Sequence, residues 1–453
     1  MTRLPNRIEG LGEIELSLFR ELMKVLYYHS AKNRTKEKYY EGKISLNDVN
    51  LGIALPQGMS GLEIGCAWGA KTVDVLAARS MFDGFVGSNG TNNDELNYIV
   101  SASGLITEYK KACRDELKFG CTFATLSGDD ILRCRIRFHS PQTAAALWDG
   151  EKGRISCGLA IIDTDTMRNP VLINLYTDNA IWVIRKNGSK WSAEPNYHKM
   201  GRPLMEPLIW NATSSKPLGR SRIKEPIRRL IDGYVRTIAN ATIGLEFSTA
   251  PQKYLLGITD EQYDAVINQK FQQYVGNILA STVNPETGEK PTFGQLSQGS
   301  ITPHVEMLRV LSTQFSAATG LSVTDTGVVN DANPTSSDAI LAQTQTLVST
   351  AEELNAGNGD ALKTIALMAL AIANNTTMES LTDDQLGIIA HFKNPAMPSI
   401  AATSDAAIKI ASARENFAQT DTFLEMIGFD QADIRRIRAQ ERRVRGTQVL
   451  EEI

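Results

Sequence analysis

Pro217-Leu218-Gly219-Arg220-Ser221-Arg222-Ile223 opens directly into a long amphipathic stretch, and the fold turns on how that junction is read. Pro217 and Gly219 stop whatever precedes them, and Ser221 has the side chain of an N-cap. Beyond it Ile223, Ile227, Leu230, Ile231, Tyr234, Val235 and Ile238 recur with a helical period. The pattern predicts a helix over residues 221–247, stopped near Pro251. Arg222, Arg229 and Arg236 are spaced by seven and line up along one side of it. Taken alone, such a stripe reads as a solvated helix face.

The 453 residues are enough for two to four units of ordinary domain size. At 42% hydrophobic and 22% charged the chain is a folded protein, not a disordered one. Its net charge of −4 excludes the global basic character of a protein that grips nucleic acid tightly. Cys66, Cys113, Cys121, Cys134 and Cys157 are odd in number and include no Cys-x-x-Cys pair, so they read as reduced, buried thiols in a cytosolic setting. The scattered histidines suggest no metal site, and the charged amphipathic N-terminus no signal peptide. The most apolar run, 361–373, contains Lys363 and falls short of the roughly twenty residues of a membrane span.

Along the chain, apolar spacing predicts helices over 14–29, 62–81 and 96–120. The character then changes to strand alternation at 131–138, 158–163, 171–177 and 181–185, with a hairpin signal at Asn187-Gly188. Residues 131–210 therefore read as a β unit on N-terminal helices. After the helix at 221–247, residues 249–300 form a small mixed segment, with a helix at 259–274 and strands at 276–283 and 292–297. Residues 301–319 are helical, with Pro303 in the first turn and Gly320 at the end. Ser336-Ser337-Asp338 caps a helix running to Leu354. From Asp360 on, the chain reads as almost entirely helical, with breaks at Asn374-Asn375 and 394–398. The class is α+β, predominantly helical.

Two apparent catalytic motifs overlap at Leu62-Glu-Ile-Gly-Cys-Ala-Trp-Gly-Ala-Lys-Thr72. The first half resembles the glycine-rich motif of S-adenosylmethionine-dependent methyltransferases, the second a phosphate-binding loop. Ala67 and Ala70 stand where each needs a glycine for close backbone approach. The preferred reading is a packed helix over 64–78, with Ile64, Trp68, Val75 and Ala78 inward. Asp163 and Asp165 read as a turn rather than a metal pair. No catalytic residue, cofactor or metal is expected.

Four segments together resemble the portal proteins of tailed bacteriophages, in the siphovirus-type branch. They are Tyr39-Tyr40-Glu41-Gly42-Lys43, the Pro217–Ile223 junction, the helix–loop–helix over 301–354, and the stretch 401–443 with Ser404-Asp-Ala-Ala-Ile-Lys409, Gly428 and Arg435-Arg436. The order and spacing of these segments carry the resemblance more than any one of them. It implies a ring of roughly twelve copies with wing, stem, clip and crown regions. The wing would be 1–220 (helices 1–130, β unit 131–210), the stem helices 221–248 and 301–319, and the clip 249–300. A tunnel loop at 320–335, a long helix region at 336–375 and a crown at 376–453 would complete the chain.

The resemblance implies a non-enzymatic conduit at one capsid vertex, made in the bacterial host cytoplasm, with no membrane involved. Its implied partners are the terminase large subunit, head–tail connector proteins, the major capsid and scaffolding proteins, and double-stranded DNA passing through without sequence recognition. Thr324, Asp325, Thr326, Val328, Val329, Asn330, Asp331 and Asn333 would form the DNA-facing loop. Between Arg309 and Lys363 there is no lysine or arginine, whereas Asp325, Asp331, Asp338, Glu352, Glu353 and Asp360 lie there. A few phosphate contacts already bind DNA with Kd of about 10⁻⁴ to 10⁻⁶ M, or roughly 5 to 8 kcal/mol. A lysine repeated around a ring would stall a moving duplex.

Arg222, Arg229 and Arg236 would either pair with acids of a neighbouring subunit or face the channel as a weak basic belt. Arg435, Arg436, Arg442 and Arg443 would face the packaged genome, or form a solvated face. The alternatives are a methyltransferase built on residues 62–69 and another ring protein of the head–tail connector, a class usually much smaller.

Overall fold

The computed structural model describes residues 7–45, 63–87, 93–129, 133–188, 190–249, 253–256, 288, 292–295, 300–327, 337–396, 400–414, 416–429 and 431–451. The chain forms two compact units, Met1–Lys393 and Asn394–Ile453.

The first unit begins with α1 (Glu13–Tyr40), longer than its apolar pattern predicts and reaching through Tyr39-Tyr40. Its buried residues Phe19, Leu22, Met23 and Leu26 recur at helical spacing. They pack on Leu159, Ile173, Leu175 and Ile184, one face of a five-stranded sheet. That sheet is an antiparallel meander in the order β10-β9-β8-β7-β6. Its strands are β6 (Ala144–Asp149), β7 (Arg154–Thr164), β8 (Pro170–Tyr176), β9 (Ala180–Asn187) and β10 (Lys190–Tyr197). The Asn187-Gly188 hairpin forms as predicted, with Asn187 paired to Lys190 and Gly188 at a φ of 61°. Asp165 closes the β7–β8 turn by accepting from the backbone N–H groups of Met167 and Asn169, which is the turn reading of that aspartate.

A second sheet orders β11 (Met205–Ile209), β4 (Cys121–Asp129) and β5 (Arg133–His139) antiparallel. Its β4 was not anticipated, because Cys121 to Leu126 are all buried and show no alternation. The region 62–120 also differs from expectation. Instead of one helix over 62–81, β2 (Glu63–Gly65) pairs antiparallel with β1 (Lys43–Ser45), and α2 (Trp68–Ala77) comes next. Trp68, Val73 and Leu76 turn inward, whereas Val75 is half-buried and Ala78 exposed. The helix expected over 96–120 is two: α3 (Asp94–Ala102) and α4 (Leu105–Phe119), separated where Gly104 takes a φ of 60°.

Two further helices pack against each other. They are α5 (Glu225–Thr249) and α6 (Thr302–Thr319), and the short pair β12 (Lys253–Leu256) and β13 (Thr292–Gln295) lies between them in sequence. The helix expected at 259–274 and the strand at 276–283 lie outside the described residues.

α7 (Ser337–Ala373) is one continuous helix, not one that stops at Leu354. From Leu362 to Ala371 it is buried nearly all round, packing on β4, β5 and β11. It ends at Asn374-Asn375 as expected, with Asn375 at a φ of 51°. The rest of the first unit is not uniformly helical. After the short α8 (Asp383–Leu386), β14 (Ile389–Phe392) pairs antiparallel with β3 (Phe82–Val86).

The second unit consists of α9 (Ile400–Ala413), α10 (Asp421–Ile427) and α11 (Gln431–Glu451). The five cysteines are free and buried.

Candidate functional site

The 217–223 junction is a staple rather than the start of a helix. Gly219 has a φ of 75°, and its α-carbon lies against the carbonyls of Gly120 and Trp210, where a Cβ has no room. Two backbone bonds knit the junction to the ends of β11 and α4, Arg220 N–H to Trp210 O (3.0 Å) and Arg222 N–H to Leu117 O (2.8 Å), and Trp210 N–H to Gly120 O (2.9 Å) joins those two ends to each other. Ser221 caps no long helix. Its hydroxyl donates to Lys118 O at 2.6 Å and accepts from Ile223 N–H at 3.0 Å. The helix starts four residues later than the periodicity suggests, at Glu225-Pro226. Proline in the first helical turn is the signal that marks the true start.

Arg222 is therefore off the helix, and the three-arginine stripe does not exist as such. Its guanidinium is buried and donates to Thr72 O at 2.5 Å and to Thr319 O at 2.6 Å. One side chain thus ties α2, the end of α6 and the entry to α5. Thr319 O belongs to the last turn of α6, where carbonyls lack intrahelical partners. Burial lowers the Arg222 pKa to about 10, which still leaves it charged at neutral pH. Arg229 is at the surface, 75% exposed, and pairs with Glu225 one turn back at 3.3 Å. Arg236 is half-buried.

Trp68 is the platform on which the two long helices meet. Its ring stacks on Phe315 of α6 at 4.6 Å and against Tyr234 of α5 at 4.7 Å. Gly233 lets the helices approach, since a Cβ there would sit 3.1 Å from Leu311. Gly69 lies against the Tyr39 carbonyl and brings α2 onto α1, while Tyr39 donates to Asp232 of α5 at 2.6 Å. The Tyr39-Tyr40 segment and the 217–223 junction thus meet around one helix pair. Sequence reasoning placed Trp68 inward but gave no sign of what it faces.

The segment after α6 is folded back, not extended. Gly320 (φ 72°) ends α6, and Ser322 and Asp325 form a capping box around a 3₁₀ turn, Val323–Thr326. Thr326 is held twice: its carbonyl accepts from Trp68 Nε1 at 3.1 Å, and its hydroxyl meets Ser312 Oγ at 2.6 Å. Asp325 and Thr326, expected to face DNA, are committed to internal bonds, and Thr324 is exposed. Val328, Val329, Asn330, Asp331 and Asn333 lie outside the described residues.

In the second unit, Arg438 is fixed by Asp421 (2.6 Å), Glu441 (2.8 Å) and the Gln419 carbonyl. Arg436 is exposed and pairs with Asp433 at 3.4 Å. Arg442 and Arg443 are exposed, and the side chain of Arg435 lies outside the described residues. Among the described residues no three metal-ligating side chains converge. No helix of the described residues is long and apolar enough to cross a membrane. The strand that opens the glycine-rich stretch at 62–72, β2, pairs antiparallel with β1 and, among the described residues, with no parallel strand, unlike the parallel sheet a dinucleotide- or methyl-donor site needs.

The family model described as phage portal protein, SPP1 Gp6-like, matches residues 29–446. The chain belongs to this family of portal proteins, which are structural components of the particle rather than catalysts. Among solved structures it resembles a chain from the virion of a native gene transfer agent particle. The identity is 12% and the TM-score 0.47, covering 80% of this chain and 89% of that one. A chain from the neck of the same kind of particle, computed with C12 symmetry, matches at 12% identity and a TM-score of 0.46, over 80% and 89% of the two chains. One from the neck of the empty particle, computed with C6 symmetry, matches at 12% and 0.45, over 77% and 86%. No curated protein sequence matches the chain.

Proposed function

We propose that the chain closes into a homo-oligomeric ring at one vertex of a phage-type capsid. DNA is driven in through the ring by a separate ATPase, the terminase large subunit, and leaves through it on infection. The family match across residues 29–446 carries this reading. In it, residues 1–220 are the wing, α5 and α6 the stem, 249–300 the clip that docks the motor and later the head–tail connectors, and 376–453 the crown. Capsid and scaffolding proteins surround the wing.

The DNA-facing loop begins after Gly327, because Asp325 and Thr326 commit their polar groups to the 3₁₀ turn and to Trp68. The stretch from Arg309 to Lys363 gives that loop no cation, so each copy touches the duplex weakly and lets it slide. Arg222 has no part in DNA contact. Arg229 and Arg236 remain for a neighbouring subunit or a weak basic belt, and Arg436, Arg442 and Arg443 for the packaged genome.

Electron microscopy of the purified protein tests the assembly. Annular particles with about twelvefold symmetry are expected; a compact monomer at high concentration, with no ring in the particle, overturns the reading.

A further inference from the structure

Five polar side chains are sealed in the core between α4 and the middle of α7: Ser80, Tyr109, Glu116, Asn355 and Asn358. Asn358 Nδ2 donates to the Tyr109 hydroxyl at 2.9 Å and to Glu116 Oε2 at 2.8 Å. Ser80 Oγ donates to Asn355 Oδ1 at 2.6 Å, so at 2.7 Å it accepts the Tyr109 proton. The donors run in one direction, from Asn358 through Tyr109 and Ser80 to Asn355, which fixes how the Asn358 amide is turned. Among the described residues, two acceptors of this group are left with no donor, Glu116 Oε1 and Asn358 Oδ1. They belong to the two side chains already joined by the 2.8 Å bond.

A carboxylate there would be an uncompensated charge in the core, beside an acceptor with nothing to accept. One proton on Oε1 removes the charge and supplies the missing donor to Asn358 Oδ1. We propose that Glu116 is a neutral carboxylic acid at physiological pH, held to Asn358 by a two-bond acid–amide pair that latches the middle of α7 to α4.

The surroundings agree. Burial pushes the Glu116 pKa up to about 8, against the smaller opposing pull of the Asn358 bond, and among the described residues no cation contributes. The titratable groups facing it are Tyr109 and Cys113 of α4 and Cys121 of β4, all driven upward and so neutral. Lys36 acts on Cys121, not on Glu116. The latch sits at Asn355-Ala356-Gly357-Asn358-Gly359, where two glycines weaken the helix most. Losing the proton breaks one bond of the pair and buries a charge at that weak point.

The test compares the full-length protein with Glu116→Gln, whose amide keeps both bonds and cannot titrate. The infrared spectrum of the wild type is expected to show a protonated-acid carbonyl band at about pH 6, absent in the variant and bleached as pH rises through about 8. The folded state holds a proton that the unfolded chain loses earlier, so stability falls as pH rises. The ratio of wild-type to variant folding constants should drop about tenfold per pH unit from the ordinary glutamate range, about 4.3, upward. It should level off above about 8. No acid band at about pH 6, a ratio independent of pH, or a glutamine variant that does not fold each overturns the pair.

Discussion

Arg222 and Arg229 stand seven residues apart and look equivalent in sequence, so replacing each by methionine separates a staple from a surface charge. Arg222→Met keeps the aliphatic stem but strips the carbonyls of Thr72 and Thr319 of a guanidinium donor. Hydrogen bonds to charged groups contribute about 1.5–3 kcal/mol each. Two are lost, and removing the buried guanidinium offsets part of that through relieved desolvation. The net cost is about 2–4 kcal/mol. Lysine has a single ammonium for two acceptors on different helices, so Arg222→Lys should recover about half. Arg229→Met loses only an exposed pair with Glu225 one turn back, about 0.3–0.5 kcal/mol. The assay is the urea midpoint of the full chain for all three variants, read at 222 nm and by tryptophan fluorescence so that departures from two-state behaviour are visible. Equal midpoints for Arg222→Met and Arg229→Met would refute the staple.

Two further outcomes are expected. Trp68→Phe keeps an aromatic face for Phe315 and Tyr234 but removes the Nε1 donor to Thr326, worth about 0.5–1.5 kcal/mol; amide exchange of residues 323–327 should quicken by about two- to tenfold, and unchanged exchange would detach that turn from the tryptophan. Changing Val328 and Val329 together to lysine should leave ring assembly intact yet slow DNA packaging, and packaging at the wild-type rate would remove the loop from the DNA path.

Where local chemistry and tertiary demand coincide, the chain is readable. Pro303 and Gly320 bracket α6, and Asn187-Gly188 makes its hairpin, because each residue acts through its own backbone. Where burial overrides pattern, it is not. β4 lacks alternation because both its faces are covered. The Asn355–Gly359 stretch looks like a helix break, yet α7 runs through it because its two asparagines find partners in the core. Of the functional residues, the 217–223 junction is legible as a break in the chain, but its bonds to the ends of α4, β11 and α6 leave no trace in the sequence. Nothing in the spacing of Arg222, Arg229 and Arg236 tells which side chain turns inward; that is decided by where α2 and α6 present their carbonyls. The Trp68–Thr326 contact joins distant stretches and leaves no periodic trace.

The β3–β14 pairing has a consequence for biosynthesis. Phe82 cannot find its neighbour Phe392 until every residue between them has been made. The apolar α7 residues 362–371 that fill the same region also arrive late. An emerging chain therefore holds an incomplete interior until α7 and β14 have been made, and closure is a slow, non-local event.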